Sequence, residues 1–175
     1  MFENIIKNVH NRHPLIHCIT NYVSINDCAN IVLACGGAPI MAEDINEVSQ
    51  ITSICQGLDI NIGMLNDNKL SSMLKAGATA NELGIPVILD PVGAGSSDYR
   101  IKAVQNLMSN VQFGVIRGNV SEIKAIAEKQ GIHNIAAGVY ETMQKNKSAM
   151  GVEAGIADKI TDDNIKEMAD FINKL

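Results

Sequence analysis

Short apolar runs and longer amphipathic segments alternate along the first 130 residues. The apolar runs have the length of β-strands and cover residues 15–20, 58–63, 86–89 and 113–116, whereas residues 39–41 are too short to classify alone but lie where the next strand is expected. Apolar positions three and four apart predict helices over residues 2–11, 23–35, 45–56, 67–83, 99–108 and 119–130. Asp44 and Asn66 or Asp67 are good helix N-caps, and Gly36, Gly57 and Gly84 follow predicted helix ends. Strands joined by helices pair in parallel through right-handed crossovers, so the pattern predicts a three-layer α/β fold with helices flanking a parallel sheet.

The pattern changes in the last third of the chain. Residues 131–150 carry less periodicity, which predicts a surface insertion with a helix over 140–147. Asp162 caps a predicted last helix over 165–175, whose apolar face has no following strand within the 175 residues. We expect one domain over residues 1–175, with that face in need of a partner.

Composition and charge narrow the classes of partner. Hydrophobic residues make up 46% of the chain and charged residues 19%, which indicates a packed globular core. The net charge of −5 and the 3% aromatic content, with no Trp, argue against binding nucleic acid. No apolar run reaches the roughly 20 residues of a membrane span, and no signal peptide is visible. The four cysteines form no CxxC pair, so we expect reduced thiols in a cytoplasmic protein.

The first candidate for chemistry is the segment Asp90–Gly95, which follows a buried strand. Ligands of open parallel sheets bind beyond the carboxyl ends of the strands, and glycines there let backbone N–H groups approach a ligand. An Asp in this place suits a metal-bound phosphate. The segment is neither a P-loop nor a dinucleotide fingerprint, since Asp98 stands where the third glycine belongs. The alternative is a tight turn with a helix-capping acid.

The second candidate is the segment Arg117–Glu122. Asn119 and Glu122 are three residues apart on the first turn of a predicted helix, where they could hold a hydrated Mg²⁺. Arg117 adds a group that binds phosphate in a bidentate manner. The alternative is a capping box made by Asn119 and Glu122, which needs no ligand.

Other reactive side chains are weaker candidates. His10, His13 and His17 are close in sequence, but His17 lies within a strand, so a metal site there is disfavoured. The cysteines lie on elements that we expect to face the core, which favours packing over nucleophilic catalysis. Met41 either packs in the core or lines an apolar pocket at a strand end.

Five motifs, in order and at matching spacing, resemble the hydroxyethylthiazole kinase family. They are His17–Val23, Gly37–Ala42, Asn61–Gly63, Pro86–Gly95 and Ile116–Ile123. Residues 151–154 resemble the family's next landmark. The resemblance implies a ribokinase-like fold. It also implies Mg²⁺-dependent transfer of phosphate from ATP to the alcohol of 4-methyl-5-(2-hydroxyethyl)thiazole in thiamine biosynthesis, by a homotrimer with thiazole pockets between neighbours.

The resemblance also assigns roles to single residues. It places Met41, Asn21, Val23 and Gly63 at the thiazole pocket. It places Arg117 and Asn119 at ATP, and Asp90 and Glu122 at the metal, with Asn119 close by. Phosphoryl transfer depends mainly on positioning and charge neutralisation, which side chains of these types supply.

One expected feature of the family is missing from the 175 residues. The family's Gly-x-Gly-Cys loop, which stabilises transition-state charge and activates the alcohol, has no counterpart, so no catalytic residue is assigned. We therefore expect a ribokinase-like domain that ends before this loop, and negligible kinase activity from these residues alone. Two alternatives remain: a non-catalytic protein that binds thiazole or nucleotide, and another ribokinase-like kinase such as a hydroxymethylpyrimidine kinase, which Asn21 and Met41 disfavour.

Overall fold

The computed structural model describes residues 2–129, with side chains from residue 6 to residue 127. Strands and helices alternate throughout this part of the chain. The strands are β1 (Leu15–Ile19), β2 (Ala38–Met41), β3 (Gly57–Asn61), β4 (Val87–Asp90) and β5 (Val115–Ile116). The helices are α1 (Phe2–Arg12), α2 (Ile25–Ala34), α3 (Val48–Ser53), α4 (Asp67–Glu82), α5 (Asp98–Asn110) and α6 (Val120–Lys129). The helices predicted over 140–147 and 165–175 lie outside the described residues, and the single domain over 1–175 stays a prediction.

The five strands form one parallel sheet in the order β2-β1-β3-β4-β5. Asn61 and Asp90, the last residues of β3 and β4, lie opposite each other in the register. Parallel strands put all their carboxyl ends at one edge, so the loops that follow them meet there. The predicted three-layer α/β class is confirmed.

One face of the sheet carries most of the core. Its buried side chains alternate along the strands and include Ile19, Leu58, Ile60, Val87 and Leu89. They pack against buried side chains of α4 and α5: Met73, Ala76, Ala80, Ile101, Val104 and Leu107. On the other face, Ile88 and Val115 of the neighbouring strands β4 and β5 are exposed. Asp59, Asp90 and Arg117 stand on the same side as these two, because side chains alternate along a strand.

Two helices differ from their prediction. The predicted apolar face of the helix over 23–35 includes Leu33, but α2 has no buried residue, and both Ile31 and Leu33 are exposed. The reason is position, since α2 packs on β2, the edge strand, and not over the middle of the sheet. Cys35, at the C-cap of α2, is exposed for the same reason, so the expectation that every cysteine faces the core is wrong for Cys35.

Helix α3 is shorter than the predicted range 45–56. The Asp44 carboxylate accepts hydrogen bonds from the backbone and side-chain amides of Asn46, at 2.8 and 2.9 Å. This local turn competes with helix formation, and α3 starts only at Val48, with Glu47 as the N-cap. Asp44 is therefore a turn residue and does not cap α3.

Candidate active site

Asp90 lies at the centre of a polar cluster at the carboxyl edge of the sheet. Asn61 donates a hydrogen bond from Nδ2 to Asp90 Oδ2 at 3.1 Å, and Arg117 Nη1 lies 3.3 Å from the same oxygen. Arg117 follows β5, and its backbone N–H bonds to the Leu89 carbonyl at 2.9 Å. Asp90 and Arg117, which sequence reasoning placed at one edge, are thus brought together.

Glu122 joins helix α6 to the glycine-rich loop after β4. Its Oε2 accepts from the backbone N–H of Asn119 at 2.9 Å, while Asn119 Oδ1 accepts from the backbone N–H of Glu122 at 3.0 Å. This is the capping box that sequence reasoning left open. Glu122 Oε1 also accepts a hydrogen bond from the backbone N–H of Gly93 at 2.9 Å. The buried carboxylate therefore holds the loop and caps the helix as well.

The cluster carries uncompensated negative charge. Burial raises the pKa of Asp90, and the negative charge of Glu122 raises it further, while the neighbouring Arg117 cation opposes both effects. Burial and the charge of Asp90 raise the pKa of Asp59 on the adjacent strand to about 6, again against the effect of Arg117. A bound cation would relieve this repulsion.

The donor set fits a hydrated Mg²⁺ and not a closed metal cage. Among the described side chains, no group of three or more His, Cys, Asp or Glu residues could hold a metal ion directly. Mg²⁺ usually keeps several waters and is held by one or two carboxylates together with substrate phosphates. Asp90 and Glu122 are the two carboxylates that could serve in this way, although each Glu122 oxygen already accepts a backbone N–H group.

The residues predicted to bind thiazole are only partly brought together. Asn21 donates from Nδ2 to Asn61 Oδ1 at 3.3 Å, and the backbone N–H of Gly63 donates to the same oxygen at 2.8 Å. A Cβ on Gly63 would lie 2.9 Å from Asn61 Oδ1 and 3.0 Å from Asn21 Nδ2, so any larger residue would displace these two side chains. Met41 is half-buried at the end of β2, whereas Val23 is 87% exposed beyond β1. Among the described residues, Asn21 and Gly63 are thus linked through Asn61, and no side-chain hydrogen bond links Asn21 to Met41 or Val23.

Sequence reasoning missed two residues that organise the edge. The Asn61 side chain accepts a hydrogen bond from Asn21 and donates one to Asp90, so it connects the loop after β1 to the end of β4. Arg100 of α5 donates to the carbonyls of Ile62 at 2.6 Å and Gly63 at 2.7 Å, and also to the carbonyl of Val92 at 2.8 Å. The alternation of β3 could have pointed to Asn61, whereas no local signal marks Arg100, because its partners are carbonyls distant in sequence.

Among the described residues, His10, His13 and His17 do not form a metal-binding cluster. His17 is buried, donates from Nε2 to the Ala42 carbonyl at 2.8 Å, and has Nδ1 2.9 Å from Thr52 Oγ1. Burial lowers the pKa of His17 despite the hydrogen bond to Ala42. His13 bonds instead to the Gly36 carbonyl at 3.0 Å, and the His10 ring also packs at Gly36.

Within residues 2–129, no helix is long and apolar enough to cross a bilayer.

Comparisons with known proteins identify the family of the chain. Residues 6–165 match the model of the Hydroxyethylthiazole kinase family. A hydroxyethylthiazole kinase of Clostridium acetobutylicum is 52% identical over 98% of this chain and 57% of its own length. One from Methanobrevibacter smithii is 44% identical over 98% of this chain and 56% of its own length.

The similarity extends to a solved structure. The structure of a hydroxyethylthiazole kinase protein from Pyrococcus horikoshii OT3 matches with a TM-score of 0.71 and 38% identity, over 81% of this chain and 53% of that one. The fold is therefore ribokinase-like, as expected. The chain spans little more than half the length of the relatives it matches. Both the matched range and the level of identity show that the chain belongs to the hydroxyethylthiazole kinase family.

Proposed function

We propose that this chain binds 4-methyl-5-(2-hydroxyethyl)thiazole and ATP, and serves the transfer of a phosphoryl group to the thiazole alcohol in thiamine biosynthesis. The observation that carries the proposal is the position of Asp90, held between Asn61 and Arg117 at the carboxyl edge of the sheet. Phosphoryl transfer depends on aligning the two substrates and neutralising phosphate charge. The edge provides both a carboxylate cluster and an arginine.

Arg117 and Asn119 form the nucleotide side of the proposed site. The Arg117 side chain is 74% exposed although it pairs with Asp90. Its guanidinium can therefore contact a phosphate from solvent while it stays close to Asp90. Asn119 precedes α6, whose N-terminus favours negative charge. A triphosphate placed there would meet the cation of Arg117 and the helix N-terminus together.

Asp90 and Glu122 are the proposed metal residues. When bound, Mg²⁺ neutralises phosphate charge and orients the triphosphate. Asp90 would hold its coordinated waters from β4, and Glu122 would do so from α6. Burial, and to a smaller extent the charge of Glu122, raise the pKa of Asp90, so a bound cation would favour its ionised form.

Asn21, Val23, Met41 and Gly63 form the proposed thiazole side. The packing of Asn21 against Gly63 supports a wall of this pocket. Val23 is highly exposed and so can contact a neighbouring subunit, which supports a homo-oligomer, a trimer by resemblance. The catalytic residue is not assigned, and the cytoplasmic location stays a prediction.

Titration calorimetry on the 175-residue chain tests the proposal. We expect binding of the thiazole alcohol, and binding of ATP that strengthens with Mg²⁺, while a hydroxymethylpyrimidine alcohol binds more weakly. Asp90→Asn should remove most of the Mg²⁺ effect, whereas Lys102→Met, an exposed change on α5, should not. A wild-type chain that binds neither ligand contradicts the proposal. An assay for phosphorylated thiazole in the same samples measures turnover. Negligible turnover by these 175 residues alone stays a prediction.

A further inference from the structure

A buried lysine lies beside the thiazole side of the edge. Lys69, in the first turn of α4, is only 4% exposed, although its ammonium carries a full charge. Asn66 caps α4 by accepting from the backbone N–H of Lys69 at 2.9 Å, which fixes where the lysine side chain starts. Burying an ammonium group is costly unless it is paired and hydrogen-bonded, so the contacts of Lys69 need an explanation.

The Lys69 ammonium is bound by groups from two different loops. It donates to the carbonyl of Thr20, directly after β1, at 2.5 Å, and lies 2.8 Å from Glu43 Oε2, two residues after β2. The ammonium also sits 4.6 Å from the centre of the Tyr22 ring, at a distance typical of a cation–π contact. The Tyr22 hydroxyl donates to Glu43, so the three side chains form a closed cluster.

Three of the four proposed thiazole residues lie in these loops or directly before them. Asn21 and Val23 flank Tyr22, and Met41 precedes Glu43 by two residues. The Thr20 carbonyl is buried, so it has no solvent alternative to the lysine. A charged donor that bonds two loops sets how far apart those loops stand, and hence the width of a pocket between them.

We infer that Lys69 is a positioning residue, whose ammonium holds the loops after β1 and β2 at the separation that the thiazole alcohol requires. The inference rests on the proposed function. The sheet order makes the effect selective, because β1 and β2 lie on one side of β3, whereas Asp90, Arg117 and Glu122 lie on the other. Loss of Lys69 should therefore disturb the alcohol site and leave the nucleotide site intact.

The experiment compares Lys69→Met, which keeps the length of the side chain and removes the charge, with Lys102→Met on the exposed face of α5. Two quantities are measured on the 175-residue chain: amide hydrogen exchange in residues 20–24 and 42–46, and the dissociation constants of thiazole alcohol and Mg²⁺·ATP. Hydrogen exchange needs no ligand, so it tests the loops separately from substrate binding.

We expect Lys69→Met to speed exchange about tenfold in both segments and to raise the thiazole dissociation constant about 10- to 100-fold, the typical loss for a hydrogen bond to a charged group. The ATP constant should stay within about twofold, since its site lies across β3. Lys102→Met should change none of these values. Glu43→Gln, which keeps the shape and removes the charge of the partly exposed partner of Lys69, should weaken thiazole binding about two- to fivefold.

Several results would overturn the inference. One is unchanged exchange and unchanged thiazole binding in Lys69→Met; another is equal weakening of both ligands, which indicates a general structural role. If Lys69→Met does not fold, Glu43→Gln decides by the same criteria. If the wild-type chain binds no thiazole alcohol, the proposed function fails, and the exchange data still decide whether Lys69 fixes the two loops.

Discussion

The buried carboxyl group of Asp59, in the middle of β3, makes the stability of the protein depend on pH. Asp59 stands on β3 beside Asp90, and burial together with the charge of Asp90 keeps its pKa near 6. An unfolded Asp releases its proton near pH 3.8, so between these values the folded state binds more protons than the unfolded state. The contribution of Asp59 to the free energy of unfolding is therefore full below about pH 4 and is lost as the pH rises through about 6.

We predict that Asp59→Asn stabilises the protein at neutral pH, because the amide has no charge to desolvate. The gain in the free energy of unfolding should be larger at about pH 7.5 than at about pH 4, where wild-type Asp59 is largely protonated. Urea unfolding at the two pH values measures the difference. Asp98→Asn, at an exposed position on α5, is the matched control. A gain of equal size at both pH values would show that charge is not the cause.

Met41 is the residue for which an apolar role is most direct. We predict that Met41→Ala weakens binding of the thiazole alcohol about tenfold, which corresponds to loss of roughly one buried apolar side chain. Calorimetry measures the effect. Met108→Ala on α5, which also packs against the core, should lower stability but leave thiazole affinity unchanged. Unchanged affinity in Met41→Ala would remove this residue from the pocket.

At the scale of elements, α5 fixes the loops after β3 and β4 relative to each other. Arg100 donates to carbonyls of both loops and so spans the proposed thiazole and phosphate sides. We predict that Arg100→Met lowers the free energy of unfolding by about 3 kcal/mol, since it leaves carbonyls of both loops without their charged donor. Denaturant unfolding measures this loss. Lys102→Met, at an exposed position two residues further along α5, should lower the free energy of unfolding by less than about 0.5 kcal/mol.

The sequence predicted elements well and their cross-links poorly. Apolar runs identified four of the five described strands, because hydrophobic patterning is a local property of the chain, and the alternation of elements predicted the place of β2. The start of α3 was misplaced because the Asp44 turn competes with the helix. Lys69 and Arg100 were missed because their partners lie 49 and up to 38 residues away, which no local pattern reveals. Asp90 and Arg117 were found because strand ends of a parallel sheet meet by geometry.

For the whole molecule, exposed apolar side chains indicate where copies of the chain would meet. Val23 and Tyr22 are exposed in the loop after β1, and Ile31 is exposed on α2, the helix at the β2 edge. Exposed apolar groups gathered near one edge are typical of a surface that is covered in an assembly. Their position next to Asn21 agrees with a thiazole pocket that lies between neighbours in a trimer, as the resemblance implies.

We predict that the chain sediments as an assembly of three 18.8 kDa copies, and that Val23→Asp shifts it toward the monomer. The reason is that three carboxylates would be buried at symmetry-related contacts, each without a partner. Leu83→Asp is the control, because Leu83 is also an exposed aliphatic residue but lies at the far end of α4. Analytical ultracentrifugation at several concentrations distinguishes the variants. A monomeric wild type, or equal dissociation by both substitutions, would show that the loop after β1 is not the contact.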